Sequence, residues 1–326
     1  MNQYLHLQKA FHSSLEKFSP ELSKKPAELY EPMSYLLSIG GKRVRPILAL
    51  ISCELFDGDI NEAIPSSLAV ELFHNFSLIH DDIMDQAPLR RGKETVHKKW
   101  NENIAILSGD AMLVKAYECL SQSNTKHIPE LLRLFNKTAI EVCEGQQLDM
   151  NFESKEQVSI GEYLKMISVK TAVLLGCSLE MGAIVANASE EDKIHIYEFG
   201  RLLGISFQLK DDILDAFGEA DKVGKQTGGD ILADKKTYLL LKALELSSEK
   251  QKSELRKWQG IRNDNPEDKI KSVLKIFEEL EIRKISEEVA SSYYQDALLH
   301  LDKLNVSEHN KINLREFAEW LLNREH

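Results

Sequence analysis

The stretch Ile79-His80-Asp81-Asp82-Ile83-Met84-Asp85 lies at the end of a long apolar segment. A similar stretch, Leu209-Lys210-Asp211-Asp212-Ile213-Leu214-Asp215, follows 130 residues later. Residues four apart share a helix face, so the outer aspartates of each copy project side by side and repel unless a cation binds. Mg²⁺ suits such clusters, because it binds few carboxylates and keeps substrate phosphate oxygens as ligands. Two clusters facing each other would hold a diphosphate through metal bridges.

Composition favours a helical protein that does not bind nucleic acid. The chain has 326 residues with only 8 prolines and 16 glycines, and no segment has the composition of a linker. Apolar residues recur at helical spacing, so we predict one all-α domain over residues 1–326. The net charge of −11 argues against a broad basic face. The predicted helices are 4–17, 26–38, 44–56, 65–86, 103–121, 129–151, 160–169, 172–188, 191–217, 236–246, 248–259, 266–280, 282–304 and 311–323.

The sequence predicts a cytoplasmic protein without a membrane span. The four cysteines occur singly in apolar segments, which fits a reducing compartment. The first residues lack the basic start and apolar run of a signal peptide. Segment 171–188 is the most membrane-like, but Glu180 interrupts it, so we expect a helix buried in a bundle.

The two aspartate helices separate a packing face from a polar face. On helix 65–86 the apolar stripe contains Leu68, Leu72, Phe76, Ile79 and Ile83, and a second face contains His74, Ser77, Asp81 and Asp85. On helix 191–217 the corresponding face contains Gly204, Gln208, Asp211 and Asp215. Both clusters lie in the last turns, where the helix dipole adds negative potential and favours a bound cation.

Basic motifs accompany both clusters. Pro88-Leu89-Arg90-Arg91-Gly92-Lys93 follows the first, and its arginines can bind a phosphate through forked hydrogen bonds. Upstream, Gly40-Gly41-Lys42-Arg43-Val44-Arg45-Pro46 combines a glycine turn with basic residues before a helix. After the second cluster, loop 221–230 and the start of the next helix, Lys235-Lys236-Thr237-Tyr238, offer further candidates.

Each feature also has an ordinary structural explanation. An acidic run or an arginine pair can be solvated surface charge, His74 can be a core histidine, and Gln208 can satisfy an internal hydrogen bond. Lys170 stands between two apolar stretches, where an unpaired buried charge is costly, so a phosphate partner is favoured. Arg43 is predicted to be surface charge.

Together, DDIMD with PLRRG, the upstream GGKRVRP, FQLKDDILD and GKQTGGD resemble the motifs of the trans-type isoprenyl diphosphate synthases. The motifs span 40–237 in the order and spacing of that family, whereas the region after Leu240 carries no motif. The resemblance implies a large helical bundle around a deep central cavity, a homodimer, and about three Mg²⁺ ions, which Mn²⁺ can replace. It implies isopentenyl diphosphate and an allylic diphosphate (dimethylallyl, geranyl or farnesyl) as substrates.

The resemblance also implies roles for individual residues. The metal ligands are Asp81, Asp85 and Asp211, with Asp82, Asp212 and Asp215 completing or supporting the clusters. Positions that bind isopentenyl diphosphate match Lys42, Arg45, His74 and Arg91. Positions around the allylic diphosphate match Arg90, Lys170, Thr171, Gln208, Lys225 and Lys235, and Gln146 with Asp149 match a patch lining the cavity. The residues expected to act in catalysis are Asp81, Asp82, Asp85, Arg90, Lys170 and Asp211.

Product length is expected to depend on side chains one or two turns before Asp81. Phe76 followed by the small Ser77 and an uninterrupted aspartate motif resembles twenty-carbon synthases, and Phe73 can close the pocket one turn deeper. Core packing explains either phenylalanine equally well. The sequence therefore predicts geranylgeranyl diphosphate first and farnesyl diphosphate second.

Three other functions share parts of this sequence pattern. A terpene cyclase shares the fold and first cluster, but it does not need the Lys42, Arg45 and Arg91 set for a second diphosphate. A non-catalytic subunit of a heteromeric prenyl synthase typically loses aspartates that are all present here. A generic metal-binding helical protein leaves the ordered basic motifs unexplained.

Overall fold

The computed structural model describes residues 4–218, 228–260 and 266–323, and helices dominate these residues, as predicted. The elements up to Ser154 are α1 (Leu5–Phe18), a 3₁₀ turn (Ser19–Leu22), α2 (Ala27–Ser38), α3 (Val44–Leu55), α4 (Ile60–Met84), β1 (Leu89–Arg90), β2 (Lys93–Glu94), α5 (Val96–Lys99), α6 (Glu102–Ser121) and α7 (Ile128–Ser154). Then come α8 (Ile160–Ile167), a π-helical turn (Ser168–Ala172), α9 (Val173–Val185), α10 (Glu190–Phe217), α11 (Gly229–Leu232), α12 (Tyr238–Leu246), α13 (Glu249–Trp258), α14 (Pro266–Glu279), α15 (Ile282–Asp302) and α16 (Glu308–Leu322).

The chain divides into two compact units. The first draws on Met1–Ala139, Leu174–Gly200 and His300–Arg315, and in it α4 packs against α3 and α6. The second draws on Ile140–Val173, Arg201–Leu299 and Glu316–His326, and in it α14 packs against α11, α12 and α13. The apolar core of this part of the second unit includes Ile213, Leu239, Leu255, Val273 and Phe277.

Capping side chains explain where two of the site helices begin. Asp59 accepts a hydrogen bond from the Asn61 amide and starts α4 at Ile60. The predicted start at Pro65 is wrong, because this cap adds more than a turn in front of the proline. Ser159 and Glu162 form a reciprocal capping box, and α8 begins at Ile160 as predicted.

One helical stretch, Ile160–Val185, is long and apolar enough to cross a membrane, judged by length and composition alone. Within its most apolar window, 72% is buried inside the protein. A membrane-spanning helix has to present apolar side chains to lipid, so burial of this extent favours the core helix that the sequence predicts.

Candidate active site

The first aspartate motif ends α4 and leads into a tight hairpin. Arg91 and Gly92 join β1 to β2 with φ angles of 52° and 73°, which is typical of a two-residue type I′ turn. Before the turn, Arg90 points back to the helix: its Nε and Nη2 each donate to a different oxygen of Asp82 at 2.7 Å. The same Nη2 lies 3.5 Å from Asp81 Oδ2. A forked, charge-assisted pair therefore ties the hairpin to the aspartate motif.

The three aspartates of this motif differ in environment. Asp82 is buried, and burial raises its pKa while the pair with Arg90 opposes that rise. Asp81 is half-buried, and Asp85 is exposed at the end of α4. Since both oxygens of Asp82 accept from Arg90, the outer two carboxylates have the better access to an ion.

The glycine turn before α3 meets the hairpin arginine. Arg91 donates from Nη1 to Gly40 O. Gly41 lies against the Arg91 guanidinium with a φ of 133°, a conformation that other residues rarely adopt, so glycine is favoured here. Burial and the neighbouring Arg43 lower the pKa of Arg91, which means that an anion there would be favourable. Lys42 is exposed next to this contact.

Arg45 and His74 form the second part of this basic site. Arg45 Nη1 lies 3.3 Å from His74 Nε2. Burial, then Arg45 and Arg91, hold the pKa of His74 well below its ordinary value, so the imidazole is neutral near pH 7. A neutral ring can donate one hydrogen bond to an anion without adding charge. The first unit thus brings two basic motifs together around His74.

The prediction that Arg43 is surface charge is wrong. Arg43 is buried at the left-handed residue before α3, and it donates to Glu71 Oε1 and Leu37 O. Asn75 Nδ2 donates to the same Glu71 oxygen at 2.8 Å. A buried ion pair needs such additional hydrogen bonds. The pair connects the start of α3 to α4 and thereby fixes Arg45 near His74.

The predicted product-length residues lie in an aromatic cluster. The Phe73 ring is fully buried, 5.6 Å from Phe76 and 5.2 Å from Phe135 of α7. Phe76 is half-buried, 4.7 Å from the His80 ring, and Ser77 Oγ donates to His74 O. Sequence reasoning misses Phe135, because nothing in its neighbourhood distinguishes it from a core residue.

In the second unit, Lys170 lies in the π-helical turn that follows α8. Such turns add one residue to a helix, frequently at functional sites. Two glycines allow neighbouring helices to approach it: a Cβ at Gly145 would lie 2.4 Å from Lys170 N, and one at Gly204 would lie 2.6 Å from Ala172 Cα. Lys170 Nζ donates to Asp149 Oδ2 at 2.6 Å. The half-buried Gln146 lies on the same helix as Asp149.

A hydrogen-bonded chain continues from this turn to the second aspartate motif. Thr171 Oγ1 donates to Gln208 Oε1 at 3.2 Å, and Gln208 Nε2 donates to Asp212 Oδ1 at 3.0 Å. The Tyr163 hydroxyl donates to the other Asp212 oxygen. Burial and then Asp230 raise the pKa of Asp212 well above its ordinary value, and burial with Asp212 raises that of Tyr163. Neutral donors therefore hold the central aspartate here.

The outer aspartates of this motif are half-buried. Asp215 Oδ2 accepts from the Asp230 amide at 2.9 Å, whereas Lys235 Nζ lies 4.0 Å from Asp230 Oδ1. Asp211 lies at the start of the same helical turn as Asp215. Lys225, another predicted ligand of the allylic diphosphate, lies outside the described residues.

One cavity in the second unit is lined by several of the residues expected around the allylic diphosphate. Among the side chains that line it are Lys170, Thr171, Gln208, Asp212, Asp230 and Lys235. The same cavity is therefore lined by amines that can bind a diphosphate and by carboxylates that can bind cations. Sequence reasoning misses Tyr163 and Asp230. The signal for Asp230 is its place after two glycines in the quoted loop, and Tyr163 carries no local signal.

The donor set fits Mg²⁺ that arrives with a phosphate-bearing ligand. Among the described residues, no three His, Cys, Asp or Glu side chains are arranged to hold an ion by themselves. Both motifs nevertheless offer only hard carboxylate oxygens, and Mg²⁺ completes its shell with water and phosphate oxygens. The residues present therefore fit the metal implied by the resemblance.

Comparison with known proteins decides the family. A family model described as polyprenyl synthetase matches residues 26–277. The chain belongs to the polyprenyl synthetase family. It is 41% identical to a short chain isoprenyl diphosphate synthase of Methanocaldococcus jannaschii over 266 residues, which cover 80% of this chain and 81% of the relative. The predicted family resemblance is confirmed, and the chain is a prenyltransferase.

Solved structures of polyprenyl synthetases confirm the all-α fold. A geranylgeranyl pyrophosphate synthase crystal structure matches over the full length of both chains with a TM-score of 0.93 and 44% identity. A polyprenyl synthase of Caulobacter crescentus, crystallised with calcium and isoprenyl diphosphate, matches all of this chain and 98% of its own with a TM-score of 0.90 and 25% identity.

Proposed function

We propose that this polyprenyl synthetase condenses isopentenyl diphosphate with dimethylallyl, geranyl and farnesyl diphosphates, and that geranylgeranyl diphosphate is its main product. The observation that carries the proposal is the cavity in which Lys170 and Lys235 lie with Asp212 and Asp230. A chain-elongating reaction needs both groups, because the diphosphate requires cations and the metal requires carboxylates. The names of the relatives support the substrate class and the twenty-carbon product.

The metal is proposed to be Mg²⁺, about three ions per active site, with Mn²⁺ as a substitute. Asp81, Asp85 and Asp211 would hold it, with Asp215 in support. Bound Mg²⁺ supplies positive charge that stabilises the departing diphosphate. Asp82 and Asp212 are proposed to position their motifs, since the protein's own donors occupy both oxygens of each carboxylate.

The protein's own residues then account for the rest of the chemistry. Arg90, Lys170 and Lys235 would neutralise charge on the allylic diphosphate as its carbon–oxygen bond breaks and the electron pair leaves with the oxygen. The isopentenyl double bond supplies the electron pair of the new carbon–carbon bond, and a proton passes from the isopentenyl unit to the released diphosphate. Apolar Met166 and Ile167 line the cavity and help to exclude water, which would trap the allylic cation as an alcohol.

Isopentenyl diphosphate is assigned to the basic site around His74 in the first unit. Lys42, Arg45 and Arg91 would bind the diphosphate of isopentenyl diphosphate directly, without metal, and His74 would add a hydrogen bond from its neutral ring. Arg91 is exposed to an incoming anion, and partial desolvation and the neighbouring Arg43 lower its pKa until one binds, which supports this assignment.

Product analysis tests the proposed function. Purified protein is incubated with Mg²⁺, labelled isopentenyl diphosphate and each allylic diphosphate in turn, and the dephosphorylated products are separated by chromatography. We expect mainly the twenty-carbon alcohol, with the fifteen-carbon alcohol next. A main product of thirty or more carbons would contradict the assignment, and no elongation at all would overturn the function.

The same assay tests Phe73 and Phe76 as the floor of the tail pocket. Phe73→Ala or Phe76→Ala is expected to lengthen the product, because each removes a ring from the aromatic cluster. Phe199→Ala is the matched control, since this buried phenylalanine of α10 belongs to the same unit but is not in that cluster. Unchanged length in both α4 variants would place the floor elsewhere.

A homodimer, a single domain over residues 1–326 and a cytoplasmic location complete the proposal. On α6, Ile106, Leu107 and Val114 are exposed apolar side chains, and a second copy of the chain would cover them. Free cysteines, of which Cys143 is exposed, fit a reducing compartment. Light scattering of Leu107→Glu and Val114→Glu tests the dimer: both are expected to yield monomer, and an unchanged mass would rule out this face.

A further inference from the structure

A partly buried ion pair joins Asp234 to Lys269, and Lys269 lies in the region after Leu240, where the sequence offers no motif. Lys269 of α14 is only 2% exposed, although lysine is seldom buried so completely. Its Nζ donates to Asp234 Oδ1 at 2.7 Å and reaches Leu232 O at 3.4 Å. The other carboxylate oxygen of Asp234 accepts from the Gly260 amide at 2.9 Å. Asp234 is therefore fixed from two sides.

Asp234 directly precedes Lys235, a proposed ligand of the allylic diphosphate. The short segment that contains both is anchored at each end: the Asp230 amide donates to Asp215, and Lys236 Nζ donates to Phe152 O. Asp234 itself has a φ of 55°, a left-handed conformation that is uncommon for residues other than glycine. The pair thus fixes the one strained residue between the two anchors.

Stability alone is a weak reason for such a pair. Removing an ammonium group from water is costly, and apolar side chains of similar size often replace a buried ion pair without loss of stability. The pair also borders a small pocket whose lining includes Asp215, Asp230 and Lys235. Its position relative to these proposed site residues suggests a role in orienting them.

We propose that the Asp234–Lys269 pair is a positioning device that holds Lys235 and Asp230 in place for the allylic diphosphate. The inference rests on the function proposed above for Lys235. Neither Asp234 nor Lys269 needs to touch substrate, so the effect should appear in the binding of one substrate.

The test compares Lys269→Met and Asp234→Asn with Lys235→Ala and with a control, Lys193→Met. Lys193 is also buried and paired, to Glu130 and Glu190, but it lies in the first unit. We expect Lys269→Met and Asp234→Asn to raise the KM for the allylic diphosphate about 10-fold, with kcat and the KM for isopentenyl diphosphate within about 3-fold of wild type. Lys269→Arg should recover part of the loss, and the double variant should be no worse than the single ones.

The outcomes separate the inference from the proposed function. If Lys193→Met changes the same KM equally, the pair acts through general stability and the inference is wrong. If Lys235→Ala raises that KM while Lys269→Met and Asp234→Asn do not, the inference is wrong and the proposed function stands. If Lys235→Ala leaves it unchanged, the role assigned to Lys235 and the inference both fail. Should Lys269→Met not fold, Asp234→Asn alone decides between these outcomes.

Discussion

The two aspartate motifs are nearly identical in sequence, yet their central residues have different hydrogen-bond partners. Asp82 is held by a guanidinium through two charge-assisted hydrogen bonds. Asp212 is held by the hydroxyl of Tyr163 and the amide of Gln208, and its pKa is raised well above the ordinary value by burial and then by Asp230. A neighbouring cation balances the first carboxylate, whereas neutral donors hold the second.

This difference shows that two copies of a motif can form the same kind of helix end while the charges around each copy differ. The partner of Asp82 is supplied eight residues downstream by the hairpin, whereas Tyr163 comes from another helix, 49 residues upstream of Asp212. The outer aspartates are less buried than the central ones in both motifs, so we expect the shared chemistry to reside in them. The hydrogen-bond partners of the central aspartates differ with the residues that surround each helix end.

The largest expected effect tests what the motifs share. Asp81→Ala and Asp211→Ala should each lower turnover about 10³-fold or more while helical content stays intact, because each removes metal-borne charge from the transition state. Steady-state assays with circular dichroism as the folding control measure this. Undiminished condensation in excess EDTA would contradict a shared metal role.

A second pair of variants tests where the motifs differ. Asp82→Asn should lower kcat about 10- to 100-fold, because it leaves the half-buried Arg90 without its nearest counter-charge. Asp212→Asn should cost less than about 10-fold, because an amide resembles the protonated carboxyl and the Gln208 amide can reverse to match it. Rates for both variants are compared at one pH under saturating Mg²⁺. Equal losses would show that the central aspartates are equivalent.

The adjacent arginines of the hairpin extend the comparison to the substrates. Arg91→Ala, and with it Lys42→Ala, should raise the KM for isopentenyl diphosphate by about 10-fold, since no metal compensates for the lost cation. Arg90→Ala should affect the allylic substrate more. Varying each substrate separately at saturation of the other decides this, and a uniform effect on both would refute the division.

The last prediction concerns stability and not activity, at Glu180, a half-buried carboxylate outside both motifs. Burial raises the pKa of Glu180 in α9 to about 7, with Lys137 opposing the rise. The folded protein therefore keeps a proton that the unfolded chain, with a pKa near 4.5, releases, and stability is lost as pH rises from about 4.5 through 7. Glu180→Gln should raise the free energy of unfolding by about 2–3 kcal/mol at pH 8 and by much less at pH 4.5. Urea unfolding at the two pH values measures it, and an equal effect at both would exclude titration of Glu180.

Sequence periodicity predicts the helices well because each helix carries its own apolar stripe and caps. The start of α3 at Val44 and that of α8 at Ile160 agree with prediction. The hairpin of β1 and β2 was not predicted, because two-residue strands are too short to show an alternating pattern of apolar and polar residues. The basic motifs near His74 could be found because arginine and glycine are locally distinctive. The pairing of Asp212 with Tyr163 and of Arg43 with Glu71 could not, because packing alone brings these distant residues together.

The π-helical turn Ser168–Ala172 has a consequence for how this chain tolerates insertions and deletions. A π turn holds one residue more than an α-helical turn, so removing a single residue from it would restore regular winding and rotate Lys170 by about 100° about the helix axis. Gly145 would then face a different backbone atom, and the amine would leave Asp149. Single-residue deletions are ordinarily tolerated in surface loops. Here we expect the deletion of even one residue to disrupt the site, because the turn lies inside a buried helix. The spacing between Tyr163 and Ala172 is thus as much a part of the site as the side chains it carries.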